Sequence, residues 1–530
     1  MSTNLQTVKT GKGLFLASLT LAALLIFSTS TTFGQVFIGS EDKGLTYTNE
    51  GEVDSADVYD DGLLENNGHI DNASVWGSRW DRRGYIENYG AIIQANVLGN
   101  GQFYNYGNAS INELNVEGFG SSWNRDEAAI TTLNVSYYGW LGNRDESTIT
   151  TANVAYAGRL DNEHNAFIST ANISEYGTVN NDSSVGIGTV NISDGGLLRN
   201  NYYRGNAAVI GVVNVSDRGQ VVNSGNGSIG TANVFDYGTI LNIAKDANKY
   251  LDLDDEPPVI NTVNISDSGR LYNGRDQDWG DEHYQYAGTI GEVNVWDSGR
   301  IDNFSIGTIG TLFLDGGTVN NIGTINKMTY TSGTYNGWQA ENQWGDTYTG
   351  TGSIGTLTVA GELYASDDWG IVENLVFAPS GGGILRVVAF AEPTGGVLFS
   401  TGMQTQTVDL TEGNIRFDLS SFGEFDKDLP SSIFPNGDEF SLQDMFGPNT
   451  MVWGMEDINS LELVWDDYWF SIYDGNVFGN GWSVDFTSNL VMWDGTAIAW
   501  SQGAPVPEPA TLAILGLGLA GLGLARRRRK

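Results

Sequence analysis

The chain has 530 residues, 70 of them Gly and 10 Pro, and its 64 acidic against 26 basic side chains give a formal net charge of −38. Cysteine is absent, which excludes a disulfide scaffold, thiol catalysis and Cys-ligated metal. So acidic a chain is unsuited to nucleic acid, which needs a basic footprint, or to an anionic membrane surface; its 40% apolar and 11% aromatic content still supports a buried core.

Met1–Gly13 carries Lys9 and Lys12 and no acid, Leu14–Phe27 is apolar, and a Ser/Thr stretch leads to Thr32-Phe33-Gly34. This charged, apolar, small-residue order predicts a secretory signal peptide over residues 1–34. Fourteen apolar residues are short for a membrane span.

A repeat follows. An Asn before Val or Ile recurs at Asn96, Asn115, Asn134, Asn153, Asn172 and Asn191 in steps of 19, then at Asn214, Asn233, Asn264 and Asn294, three of these four steps carrying insertions. Four residues before this Asn stands Ile in all ten copies, from Ile92 to Ile290. Five residues after it stands Gly, from Gly101 to Gly299, and nine after it a second Asn, from Asn105 to Asn303. Seven after it the residue is apolar, except Ser122. A looser copy (Val53, Asp57, Gly62, Asn66) precedes these, and looser ones surround Phe313 and Thr358.

Apolar residues alternate about the first Asn, as in Val190-Asn191-Ile192, which is strand periodicity. Gly, Asn and β-branched residues recur too often for a helix. One such unit cannot bury its apolar face alone, whereas stacked units do. The prediction is an all-β parallel solenoid of about 19-residue rungs over residues 35–375. Asn at one place in every rung predicts an amide ladder at about 4.8 Å spacing, and the recurrent Gly predicts a corner with positive φ. In period and composition the repeat resembles the β-helices of filamentous-haemagglutinin-like adhesins and autotransporter passengers. Leucine-rich repeats share the period but want Leu at fixed spacings and a helical segment, neither of which is present.

The insertions Leu251–Glu256 and Asp276–His283 cluster carboxylates that offer hard oxygen ligands to Ca²⁺. Neither the EF-hand nor the Gly-Gly-x-Gly-x-Asp spacing occurs, so they read as solvated loops and no cofactor is assigned. His69, His164 and His283 are isolated, and no metal site follows from them. From about Glu373 the 19-residue pattern stops. Residues 376–503 form an acidic, Trp-rich β region, predicted as a separate small domain or as the cap of the solenoid.

The chain ends in Val506-Pro507-Glu508-Pro509, an apolar Gly/Leu/Ala stretch over 510–525 predicted as a short transmembrane helix, and Arg526-Arg527-Arg528-Arg529-Lys530. The positive-inside rule places the Arg cluster in the cytoplasm. In order and spacing residues 504–530 resemble the PEP-CTERM sorting signal. That resemblance implies export by a Gram-negative bacterium and transient anchoring in the inner membrane. It also implies processing by an exosortase-type membrane protease, with Pro507, Glu508, Pro509 and Arg526 to Arg529 as the sorting motif. Without residues 1–34 and 510–530, 19 basic residues face 64 acidic ones, a body near −45. No acid–base pair stands out from the many carboxylates, and no phosphate loop occurs, so no catalytic residue is assigned. The function read from the sequence is a non-enzymatic structural protein of the cell surface or extracellular matrix, with extracellular polysaccharide as a candidate partner. A glycan- or cell-binding adhesin and a polysaccharide-degrading β-helix enzyme are the alternatives.

Overall fold

A computed structural model of the chain describes residues 7–10, 13–16, 32–39, 45–201, 207–243, 257–279, 282–343, 345–379, 382–391, 397–399, 401–422, 439–447, 449–465, 468–475, 477–479, 482–485, 490–493 and 501–502. Two compact units divide it: Met1–Tyr272 with Tyr286–Thr289, and Asn273–Gln285 with Ile290–Lys530. Most of the predicted leader, the insertion Leu251–Glu256, and the tail with its predicted helix lie outside the described residues. Among those described, no helix is long and apolar enough to cross a membrane.

The first unit is the predicted parallel β-solenoid. Each rung supplies a long strand, such as Ala129–Val135, and a short one, such as Trp140–Asn143. Long strands pair in parallel with long ones and short with short, in the register of the sequence repeat: Asn115 opposes Asn134, and Asn124 opposes Asn143. In the long strand Ile130, Leu133 and Val135 are buried, while Thr131 and Thr132 both turn outward. The alternation slips there, so each long strand bends around its core. Leu141 and Asn143 of the short strand close the same core. One rung would leave these aliphatic groups open to water. Its neighbours above and below bury them, each contributing roughly 1.5–3 kcal/mol.

Two rungs of the first unit escape the sequence repeat. Thr32–Ile38 pairs with Glu52–Val58 from Thr32 onward, so the first rung overlaps the last three residues of the predicted leader. His69–Gly77 forms another, with Ser74 where the next rung has Asn96.

The recurrent Gly is required, but not for positive φ as the sequence suggested. At the corner Ser136–Gly139, the Gly139 amide donates to Ser136 O at 2.8 Å, and positive φ falls on the two central residues, Tyr137 (47°) and Tyr138 (69°). The same pair of angles recurs at Tyr156–Ala157, Glu175–Tyr176, Asp217–Arg218 and Asp236–Tyr237. This is the type I′ pattern. The Gly that follows faces the rung before it, where a Cβ would meet backbone: 2.3 Å from Val116 O at Gly139, 2.2 Å from Val154 O at Gly177.

Both Asn columns form ladders, and their amides point in opposite directions. In the half-exposed outer column each amide donates back to the preceding rung, as from Asn134 to Asn115 (2.7 Å) and from Asn153 to Asn134 (2.8 Å). In the buried inner column each donates forward, as from Asn124 to Asn143 and from Asn143 to Asn162, both at 2.8 Å. Nδ2 of Asn124 also faces the carbonyls of Ala128 and Thr148, each at 3.2 Å, which fixes the amide's orientation. Buried amides so satisfied carry no desolvation penalty.

The second unit is built in the same way. Gly307–Asn321 pairs in parallel with Thr324–Asn336, that strand with Ser353–Val359, and that with Ile371–Phe377, aligning Phe313, Thr329, Thr358 and Val376. Parallel pairing runs past the point where the sequence pattern fades. Ile371–Phe377 pairs with Gln404–Asp409, and Ile384–Ala391 with Asn414–Asp418 and then Ser460–Trp465. Antiparallel pairing with Tyr468–Asp474 follows. The inner ladder ends here: Asn303 donates to Asn321, and Asn321 to the hydroxyl of Tyr335 at 2.8 Å. Tyr335 then stacks on Trp369, ring centroids 4.7 Å apart, so an aromatic pair succeeds the amides. Trp465 is fully buried, as a core residue of a small β region would be, while Trp453 is exposed.

Candidate functional site

The buried carboxylates among the described residues are engaged in structure. Buried Asp161 accepts from Trp140 Nε1 at 2.7 Å, from Asn180 Nδ2 at 2.6 Å and from Arg159. Buried Asp302 holds Arg300 through both oxygens and accepts from Asn320. Burial works against the charge of Arg300, yet its bonds to Asp302 and Glu341 raise its pKa above the ordinary arginine value. Arg386 and Arg416 are bound by Glu362, Asp418 and Glu462. These are arginine–carboxylate clamps. His69 and His164 lie on Asp71 and Asp145 in separate rungs, and His283 lies in a strand whose side chains are outside the described residues. No group of three or more His, Asp or Glu placed to share a metal occurs among the described residues. The second insertion carries the paired strands Arg275–Trp279 and Glu282–Tyr286.

What the solenoid does assemble is an aromatic groove on the first unit, of about 200 Å³. One wall is a row of rings at successive corners. Phe119 and Tyr138 both stand four residues after the outer Asn, and their rings stack at 5.8 Å with planes 16° apart. Trp80 extends the row, 6.0 Å from Phe119. All three are largely exposed, at 68%, 58% and 66% for Trp80, Phe119 and Tyr138. Trp80 sits on the three-residue expansion of its rung. Arg83 Nε donates to Trp80 O at 2.9 Å and its guanidinium lies 5.4 Å from the Trp80 ring. Ser78 anchors the same loop to Asp60 by two hydrogen bonds.

The other wall is Trp140, which is doubly fixed. Its indole N–H goes to Asp161, and it meets Trp123 edge-on, centroids 4.3 Å apart at 84°. Trp123 is seated in turn. A Cβ at Gly142 would stand 2.3 Å from its ring, so only Gly leaves room. The guanidiniums of Arg144 and Arg125 lie 4.0 and 4.5 Å from the Trp123 ring. Gly120, Ser121 and Asn100 complete the lining. Exposed rings beside a few fixed polar groups suit a ligand with one apolar and one hydroxylated side.

Sequence reasoning missed this groove. Its aromatics are spread over several rungs, and no two are near neighbours in a recognisable motif. The signal was present in the repeat alignment, as the run Phe119, Tyr138, Tyr176, Tyr237 just before the recurrent Gly. The residues the sequence singled out, Pro507, Glu508, Pro509 and Arg526 to Arg529, lie outside the described residues.

Comparison with known proteins adds the following. Residues 505–530 match the model of the PEP-CTERM protein-sorting motif, and the chain carries that signal at its C-terminus. The motif implies export, processing by the membrane protease exosortase, and transient membrane anchoring before surface release. Among solved structures, a hyper-glycosylated TibA fragment modified by TibC matches at 14% identity and a TM-score of 0.22, over 67% of this chain and 96% of that one. No curated protein matches the sequence.

Proposed function

We propose that the mature protein is a non-enzymatic structural component of the cell surface or extracellular matrix, delivered there when exosortase removes its tail. The sorting motif at 505–530 carries this reading. The body supports it: the repeat builds a self-stacking scaffold, and the buried carboxylates Asp161, Asp302 and Asp418 are each held by arginine. Pro507 and Pro509 keep the segment ahead of the apolar stretch extended, which suits entry into a protease cleft. The test is mass spectrometry of the protein from its final location. Wild-type protein should yield no peptide from Arg526–Lys530, and replacing Pro507-Glu508-Pro509 by alanine should leave full-length chain in the inner membrane. Recovery of Arg526–Lys530 from released wild-type protein overturns the proposal.

A second reading is a surface adhesin that holds a glycan. The groove bounded by Trp80, Phe119, Tyr138 and Trp140 favours it, since sugar C–H faces stack on exposed rings. Saturable binding of the full-length chain to extracellular polysaccharide, lost with the Phe119→Ala and Tyr138→Ala double variant, would support this reading; binding unchanged in that variant would remove it.

A further inference from the structure

We infer that the groove of the first unit takes a sugar bearing a carboxylate, a uronic acid unit within a polysaccharide, with its apolar face on the Phe119–Tyr138 row and its carboxylate on Arg83. The inference rests on the adhesin reading of the same groove and goes further in naming the ligand chemistry.

Charge is the first argument. The body is near −45, yet among the groove's lining residues only Arg83 is charged, and no carboxylate lines the groove. Six of the body's 19 basic residues, Arg79, Arg82, Arg83, Arg125, Arg144 and Arg159, fall between residues 79 and 159, the stretch that builds the groove. Arg144 and Arg159 are spent on Glu163 and Asp161. Arg83 instead turns its Nε to a backbone carbonyl and packs against Trp80, with no ion-pair partner among the described residues. Its two outer nitrogens can form the paired donor bonds that a carboxylate accepts.

Shape is the second. Exposed rings on two successive rungs offer apolar surface to the C–H groups of a sugar, and about 200 Å³ suits one sugar unit while leaving its neighbours in solvent. Ser121 and Asn100 add polar side chains to the lining beside the rings. Trp140 is locked from behind by Asp161 and Trp123, so little ordering is left to oppose binding. A peptide or an aromatic small molecule would use the rings as well, but neither needs an unpaired guanidinium beside them.

The test titrates full-length protein with tetrasaccharides of galacturonate, mannuronate and guluronate, each alongside its carboxyl-reduced neutral counterpart, by calorimetry and tryptophan fluorescence. At least one acidic tetrasaccharide should bind about ten-fold more tightly than its neutral counterpart, less so as salt is raised. Arg83→Gln should abolish that preference, bringing the acidic and neutral tetrasaccharides to the same affinity. Tyr138→Ala and Phe119→Leu should weaken both ligands, with circular dichroism unchanged because both side chains are exposed. Equal binding of acidic and neutral sugars, unaffected by Arg83→Gln, overturns the uronate assignment while the adhesin reading stands. Absence of binding to every sugar, or binding that ignores all three substitutions, overturns the assignment of this groove altogether. Binding of peptides in preference to sugars does the same.

Discussion

Gly139 lies against the backbone of Val116 in the preceding rung, so close that a Cβ on it would stand 2.3 Å from the Val116 carbonyl oxygen. The contact, rather than the local φ, explains why the repeat places Gly here. Gly139→Ala should therefore destabilise the solenoid, by about 1–3 kcal/mol, because the rung must shift to admit the methyl group. The neighbouring corner gives the opposite outcome. Ala157 has φ 60°, a conformation that costs an L-residue about 1–2 kcal/mol and glycine almost nothing. Ala157→Gly should stabilise by about 0.5–1 kcal/mol after the added chain entropy of glycine is subtracted. Chemical denaturation of the two variants should move the midpoint in opposite directions, and a shift in the same direction would contradict this account of the corner.

The two Asn columns look equivalent in sequence and differ in consequence. Asn143 is fully buried, takes the amide of Asn124 and gives its own to Asn162. Asn143→Leu leaves a donor and an acceptor stranded in an apolar core and should cost about 2–4 kcal/mol. Asn172 bonds Asn153 and Asn191 in the same fashion, but water reaches that column. Asn172→Leu should cost about 1 kcal/mol or less, since solvent replaces the lost partners. Equal losses at the two positions would mean that both ladders are equally dry.

The rung architecture was legible because its causes are local and repeated. Ile130, Leu133, Val135 and Leu141 are buried in the pattern their spacing predicts, and Asn96 to Asn264 stack as their register requires. The corner was misread because Tyr137 and Tyr138 are not residues that sequence reasoning assigns to positive φ. The rung at Ser74 was missed because Ser replaces Asn and the loop carrying Trp80 lengthens the period. Parallel pairing beyond Phe377 escaped notice once the Asn column had ended on Tyr335 and the buried position beside the Leu column had become apolar, as at Val387, Phe417 and Leu463. The groove was illegible for a further reason. Stacking brings Trp80, Phe119 and Trp140 together across rungs, whereas a motif search reads along one.

Ser122 breaks the apolar column of the short strands, between Phe103 before it and Leu141 after it. Its side chain is buried, and Oγ has no hydrogen-bond partner among the described residues. Phe103, among the largest fully buried side chains, precedes this smallest member of the column, so volume is partly compensated. Ser122→Val should remove an unmet hydroxyl and add apolar contact, raising stability by about 1–2 kcal/mol. Loss of stability would mean that Phe103 already fills the space and that the extra methyl groups overpack it.

Tyr335 closes the inner ladder and sets a limit at high pH. Burial raises its phenol pKa well above the ordinary value of 10.0, and the hydrogen bond from Asn321 lowers it only in part. Above about pH 10 a tyrosine in the unfolded chain loses its proton while Tyr335 in the folded chain keeps it. The unfolded state then binds fewer protons than the native state, so stability falls as pH rises, by about 1.4 kcal/mol per pH unit for this one group. Below pH 9 both states hold the proton and the contribution is complete and constant. Tyr335→Phe keeps the ring on Trp369 but removes the hydroxyl that accepts from Asn321, so it should lower stability at neutral pH by about 1–2 kcal/mol. The same substitution removes one group from the alkaline limb. Denaturation midpoints measured from pH 7 to 11 should therefore decline less steeply in Tyr335→Phe than in wild type above pH 10. Parallel curves over that range would mean that Tyr335 ionises within the folded protein and that the end of the ladder is open to water.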